Sequence, residues 1–227
     1  MKKYLTNSGP VFIKNSLIRL YRFFKRLNME RIFSSYYLEN AWGGFESRSG
    51  EGSSLEATAE VRKILPALLE NIQIRSMLDA PCGDFYWLKD VPLNLANYTG
   101  IDIVAELIKQ NRLKYGAPNR QFLMGDLTKD RLPKADLVLC RDCLGHFSFR
   151  DAVRAIRNIK QSGSDYLLIT TFPTILKNQD IITGAWRPLN LQKPPFNFPE
   201  PVQLVNEHYP KSPDKSLGLW KLNDIRT

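Results

Sequence analysis

Four aspartates close four successive apolar runs. Asp79 ends SMLD, Asp102 ends NYTGID, Asp126 follows RQFLMG and Asp142 follows ADLVLCR. Asp84 adds a fifth acid inside the short turn DAPCGDF. Acids at this density would repel a pyrophosphate. They suit a ligand that carries hydroxyls, an amino group and a positive centre. The GxGxxG fingerprint of dinucleotide sites is missing, which argues against NAD or FAD. Proton transfer has two candidates, Asp142 and, four residues later, His146 in CRDCLGHFS. An unperturbed histidine titrates near neutrality. An aspartate would need surroundings that raise its pKa.

The runs that carry these acids alternate with helical patterns. SMLDA, NYTGIDI, RQFLMGD, ADLVLCRD and DYLLITTF read as strands. FYWLKDV reads as the start of a helix, and VAELIKQNRLKYG and SFRDAVRAIRNIKQSG as helices, the last with Ala152, Val153, Ile156 and Ile159 on one face. VQLVNEHY and KSLGLWKL read as a closing antiparallel pair. The βαβ rhythm predicts an α/β fold: a Rossmann-like, doubly wound, mainly parallel seven-stranded sheet with an antiparallel C-terminal strand pair and an N-terminal helical arm. Ligands of such sheets bind beyond the C-terminal strand ends, so the five acids surround one crevice.

Two loops should wall that crevice. Trp42 to Ser54 is rich in Gly and Ser, and Ser53 with Glu56 forms a capping box that predicts a helix from near Ser54. Such a loop presents backbone N–H groups to an anion. Eight of the fourteen prolines lie between Pro173 and Pro213, so WRPLNLQKPPFNFPEP should be a long ordered loop pinned by Trp186, Phe196 and Phe198. Trp42 and Trp186 are candidates to stack on a sugar face. Arg187, Asn190 and Arg141 are candidates to bind hydroxyls or a phosphate, and Glu46 and Ser47 are candidates to contact the substrate from the first loop.

In order and spacing, these segments resemble a class I S-adenosylmethionine (SAM)-dependent methyltransferase from about Leu65 to the C-terminus. DAPCGDF keeps the acid and the middle glycine of that family's first motif, with Pro81 and Phe85 in place of the outer glycines. His146 matches the second histidine of the family's fourth-strand run, and Gly145 replaces the first. The resemblance implies SAM as cofactor. Asp79 and Gly83 would lie at its methionine part, Asp102 at the ribose hydroxyls and Asp126 at the adenine amino group, with Ala80, Pro81, Ile103, Leu127 and Arg141 around it. WGGFESRSGEGSSLEAT, GAWRPLNL and DKSLGLW further resemble a bacterial-type group associated with glycan and capsule modification. The implied reaction is metal-independent O-methylation of a sugar hydroxyl on a glycan or nucleotide-sugar. A phosphate-type or lipid-linked acceptor, an RNA methyltransferase and a non-catalytic SAM-binding module are the alternatives.

Bulk properties fit that reading. The 227 residues, 43% hydrophobic and 24% charged, suffice for one domain with a full core. The expected division is 1–53, a basic arm and lid loop, and 54–227, the main domain with a Pro-rich substrate loop at 173–201. No apolar run reaches the roughly eighteen residues of a membrane span, and polar residues interrupt the N-terminus too often for a signal peptide. Cys82, Cys140 and Cys143 do not make a zinc set and fit a reducing cytoplasm. The net charge is +9, yet residues 1–31 hold eight Lys/Arg against one acid. Residues 11–28 have the pattern of a basic amphipathic helix, which either covers the site or rests peripherally on an anionic membrane surface. An RNA enzyme would spread its cations around the crevice instead, so no nucleic-acid partner is expected.

Overall fold

A computed structural model describes residues 29–226. The predicted helix at 11–28 lies outside the described residues. Among the described residues no helix is long and apolar enough to cross a membrane.

Seven strands form one sheet: β1 (Ser76–Asp79), β2 (Asn97–Asp102), β3 (Arg120–Met124), β4 (Leu137–Cys140), β5 (Tyr166–Thr171), β6 (Gln203–Asn206) and β7 (Ser216–Lys221). Their order is β3-β2-β1-β4-β5-β7-β6. Strands β1 to β5 pair in parallel, and β7 runs antiparallel to both β5 and β6. The order reverses between β1 and β4, which opens the crevice at their C-terminal ends. Among the described residues the α-helices are α1 (Met29–Glu39), α2 (Ala59–Asn71), α3 (Ala105–Tyr115) and α4 (Phe149–Gln161).

The sheet folds this way because β4 is apolar on both faces. Leu137, Val138, Leu139 and Cys140 are all fully buried, as a central parallel strand covered by two helix layers must be. Helix α4 starts at Ser148, whose hydroxyl accepts the backbone N–H of Asp151, an N-cap. Its Ala152, Ala155, Ile156 and Ile159 are buried, while Val153 is half-buried.

Two local expectations fail. FYWLKDV is a run of turns and not a helix. Phe85 adopts a left-handed φ of 57°, which breaks the helical path at its first residue. Its ring instead packs against Tyr98, Tyr115 and Phe122, with centroids 5.1 to 5.3 Å away. The capping serine is Ser54 and not Ser53: its Oγ accepts from Ala57 N at 3.1 Å. One turn follows it, and regular helix begins only at Ala59.

The Pro-rich loop is ordered as expected. Phe196 and Phe198 are buried beneath it, and Trp220 Nε1 donates to Pro199 O at 2.9 Å. Trp186 does not pin it, being 55% exposed. Two asparagines do that work. Asn178 Nδ2 donates to the carbonyls of Asn190, Lys193 and Pro194. Asn190 Nδ2 donates to those of Pro173 and Ile175.

Candidate active site

A cavity of about 500 Å³ lies over the C-terminal ends of β1, β2 and β4, a volume suited to a small-molecule ligand. The turn after β1 forms its floor. Three hydrogen bonds hold that turn. Cys82 N donates to Ile101 O at 2.8 Å, Asn111 Nδ2 to Gly83 O at 2.8 Å and Gly83 N to Asp102 Oδ2 at 3.1 Å. Gly83 has a φ of 53°, and a Cβ there would lie 2.4 Å from Ser49 Oγ. The one retained glycine therefore makes room for the lid loop.

Asp79 and Asp102 line the cavity and are buried. Asp79 accepts the Tyr98 hydroxyl at 2.6 Å. Burial pushes its pKa up to about 7 against that bond, and the Asp102 charge adds to the rise. Asp102 accepts from Gly83 N and Val104 N, yet burial still raises it to about 6. Each of its oxygens accepts one backbone N–H and so keeps a lone pair for a ligand hydroxyl. Two carboxyls pushed up by desolvation call for hydroxyl donors and positive charge.

The other wall carries His146 and Asp142. His146 Nδ1 lies 3.1 Å from Ala185 O. A carbonyl only accepts, so Nδ1 bears the proton and Nε2 is left as the basic nitrogen. Burial lowers the imidazole pKa, opposed by the Asp142 charge and the Ala185 carbonyl and aided by Arg187. Burial alone would raise Asp142, but Lys215 and then Arg141 hold it below the usual carboxylate range. Asp142 Oδ2 lies 2.5 Å from Lys215 Nζ and 3.2 Å from Arg141 Nη1.

Of the residues expected from sequence, Trp42, Asp79, Ala80, Pro81, Gly83, Asp102, Ile103, Leu127, Arg141, Asp142, His146 and Trp186 border this one cavity. The other five do not. Asp126 caps its own turn, its Oδ1 accepting from Thr128 N and Oγ1. Glu46 accepts from Leu55 N at 2.9 Å. Ser47 is buried and donates to Asp84. Arg187 donates to the carbonyls of Gln179, Leu144, Gly145 and Phe147, so its fork is consumed by backbone. Asn190 is buried in the loop it holds. These positions invite a polar role by type, but backbone groups and, for Ser47, the Asp84 carboxylate already take their side chains.

The lid loop also differs from expectation. Its N–H groups do meet an anion, but that anion is Asp84, which accepts from Arg48 N at 2.8 Å and from the Ser47 hydroxyl. Asp84 in turn donates its own N–H to Ser49 Oγ. Trp42 is no free platform: Phe33 stacks on it and Tyr36 and His146 meet it edge-on. Trp186 is the exposed ring. Lys215, Glu207, Tyr209, Lys211 and Ser212 were not anticipated. All but Glu207 line the cavity, and all belong to the hairpin between β6 and β7. A charged residue directly before the apolar run of β7 was the available signal.

Residues 77–162 match the methyltransferase domain family. No curated protein matches the chain. Human N-acetylserotonin methyltransferase, solved in complex with SAM, aligns with a TM-score of 0.56 at 15% identity, over 86% of this chain and 60% of that one. TnmH aligns at 0.55 and 17% identity, over 74% of this chain and 54% of that one. The methyltransferase domain of the bacterial protein CtHen1 aligns at 0.50 and 9% identity, over 71% of this chain and 97% of that one. The chain thus spans only part of the first two. It is similar to methyltransferases in the sequence of residues 77–162 and in fold, which is the Rossmann-like one of SAM-dependent methyltransferases.

Proposed function

We propose that this chain is a SAM-dependent methyltransferase that O-methylates a sugar hydroxyl of a glycan or nucleotide-sugar. The observation that carries the reading is the placement of His146. Its Nδ1 is tied to Ala185 O, so Nε2 is the basic nitrogen, on the wall of a cavity floored by Asp79 and Asp102. The floor fits SAM by its donor set. Asp102 has lone pairs for hydroxyls, and Asp79 and Asp102 are raised acids that a cation would ionise. When bound, SAM supplies an electrophilic methyl group on a sulfonium.

His146 Nε2 would take the proton of the acceptor hydroxyl as that oxygen gained the methyl group, the electron pair of the S–C bond staying on sulfur. Asp142 is held as an anion by Lys215 and Arg141, so it is the weaker candidate for base and a source of fixed negative charge beside the imidazole. The lid and the Pro-rich loop shield the crevice from water.

A neutral acceptor is favoured over a phosphate. Among the described residues, every Lys or Arg that lines the cavity already has a carboxylate partner. Lys211 pairs with Glu51 at 2.9 Å, and Lys215 and Arg141 pair with Asp142 and Glu207. Trp186, exposed at the wall and met edge-on by Phe172, supplies a face for a sugar ring.

Methyl transfer from labelled SAM to a panel of glycans and nucleotide-sugars tests the reading, alongside calorimetry with S-adenosylhomocysteine. His146→Ala should lower transfer about a hundredfold or more and leave S-adenosylhomocysteine affinity intact. A wild-type protein that binds neither SAM nor S-adenosylhomocysteine overturns it.

A further inference from the structure

Four ionisable side chains form a closed ring of contacts at the cavity wall, with Arg141, Asp142 and Lys215 lining the cavity and Glu207 behind them. Glu207, with no exposed side-chain surface, accepts from Arg141 Nε at 3.2 Å and Nη2 at 2.5 Å. Its Oε2 lies 3.3 Å from Lys215 Nζ. Lys215 Nζ donates onward to Asp142 Oδ2 at 2.5 Å. The Lys215 side chain is 6% exposed, which is rare for a lysine unless it is paired. Arg141 meets Glu207 with two bonds and Asp142 with one contact at 3.2 Å, so Lys215 is the closer cation to Asp142 and the more distant one to Glu207. Its shorter contact is to Asp142.

Other groups fix Asp142 in place. Its backbone is left-handed, φ 53°, and its N–H donates to Thr170 Oγ1 at 2.8 Å. From the lid, Gly52 lies so close that a Cβ there would be 2.9 Å from Asp142 Oδ2 and 3.6 Å from Lys215 Nζ. The groups that face His146 are few: Asp142 on its own segment, Arg187 and the Ala185 carbonyl from the Pro-rich loop, and the Trp42 ring from the lid.

We propose that Lys215 is a positioning residue that holds Asp142 as a carboxylate, so that His146 alone receives the acceptor's proton. This rests on the methyltransferase reading above. In the step, the proton leaves the acceptor oxygen for His146 Nε2, the oxygen–methyl bond forms and the sulfur–methyl bond breaks with its pair on sulfur. The new imidazolium lies beside an anion already fixed there. Burial keeps His146 neutral and able to accept, and Lys215 offsets the Asp142 charge that opposes that burial.

The chain has two histidines, so imidazole proton resonances give a direct readout that needs no acceptor. A His208→Ala spectrum assigns His146. In Lys215→Met the Asp142 charge is less compensated, and the His146 midpoint should rise by about half a unit or more. In Asp142→Asn it should fall by a similar amount. Lys215→Arg should return it to the wild-type position. S-adenosylhomocysteine calorimetry confirms that each variant is folded. An unmoved His146 midpoint in a folded Lys215→Met protein overturns the proposal. Should that variant fail to fold, a midpoint that does not fall in Asp142→Asn overturns it equally. Failure of the methyltransferase reading would look different: wild type would bind no S-adenosylhomocysteine, whatever its histidines do.

Discussion

The Tyr98 hydroxyl donates to Asp79 Oδ2 at 2.6 Å from the neighbouring strand, and the carboxyl is nonetheless pushed up to about 7. Without a bound cation, Asp79 and Asp102 are partly protonated near neutrality. A positively charged ligand must find them ionised. SAM affinity should therefore weaken as pH falls through 7 and 6, by about tenfold or more between about pH 8 and pH 5.5. Calorimetry at the two pH values checks this. A flat profile would separate these acids from the cation.

The same acid should weaken the fold. Its folded pKa lies above the unfolded value, so the unfolded chain releases the proton first and stability drops as pH rises from about 4 to 7. Asp79→Asn keeps an acceptor for Tyr98 and removes the penalty. It should raise the melting temperature, more at about pH 8 than at about pH 5, with a gain of order 2–4 kcal/mol at the higher pH. SAM binding should be lost in the same variant. An equal gain at both pH values would contradict the linkage.

The two tryptophans should behave differently. Trp42 is enclosed by Phe33, Tyr36 and His146, so Trp42→Ala should lower stability by about 2 kcal/mol or more. Trp186→Ala should leave the melting curve nearly unchanged and raise the acceptor KM. Denaturant titration of both variants, with saturation kinetics for Trp186→Ala, tells them apart.

Arg187→Met takes a donor from four carbonyls; Leu144 and Gly145 each keep a backbone N–H, while Phe147 and Gln179 lose the guanidinium bond. A loss of about 3 kcal/mol in urea unfolding is expected. An acceptor-specific rise in KM without that loss would restore the arginine to substrate binding.

The strands and the crevice were legible because both depend on pattern. β4 is four apolar residues long, β1 and β2 end in Asp79 and Asp102, and Asp142 follows β4 by two residues. What stayed hidden was competition for polar groups. Arg187, Asn190, Ser47 and Asp126 are the right types for a site, but backbone groups or, for Ser47, the Asp84 carboxylate claim each, and such partners depend on loop paths that no period encodes. Phe85 was opaque for a related reason. A large aromatic residue at positive φ is rare, and three aromatic rings from distant segments hold it there. Lys215 was missed because one lysine before a strand looks like a solvated flank.

β7 alone runs against the sheet, with Ser216 beside Thr171 at the end of β5. It therefore delivers its first residues to the crevice while β6 delivers its last. Glu207 and Lys215 close the connecting hairpin, Glu207 N donating to Lys215 O at 2.9 Å. The segment between them is clamped at both ends to the ionic wall, and it brings Tyr209, Lys211 and Ser212 to the cavity from one fixed base.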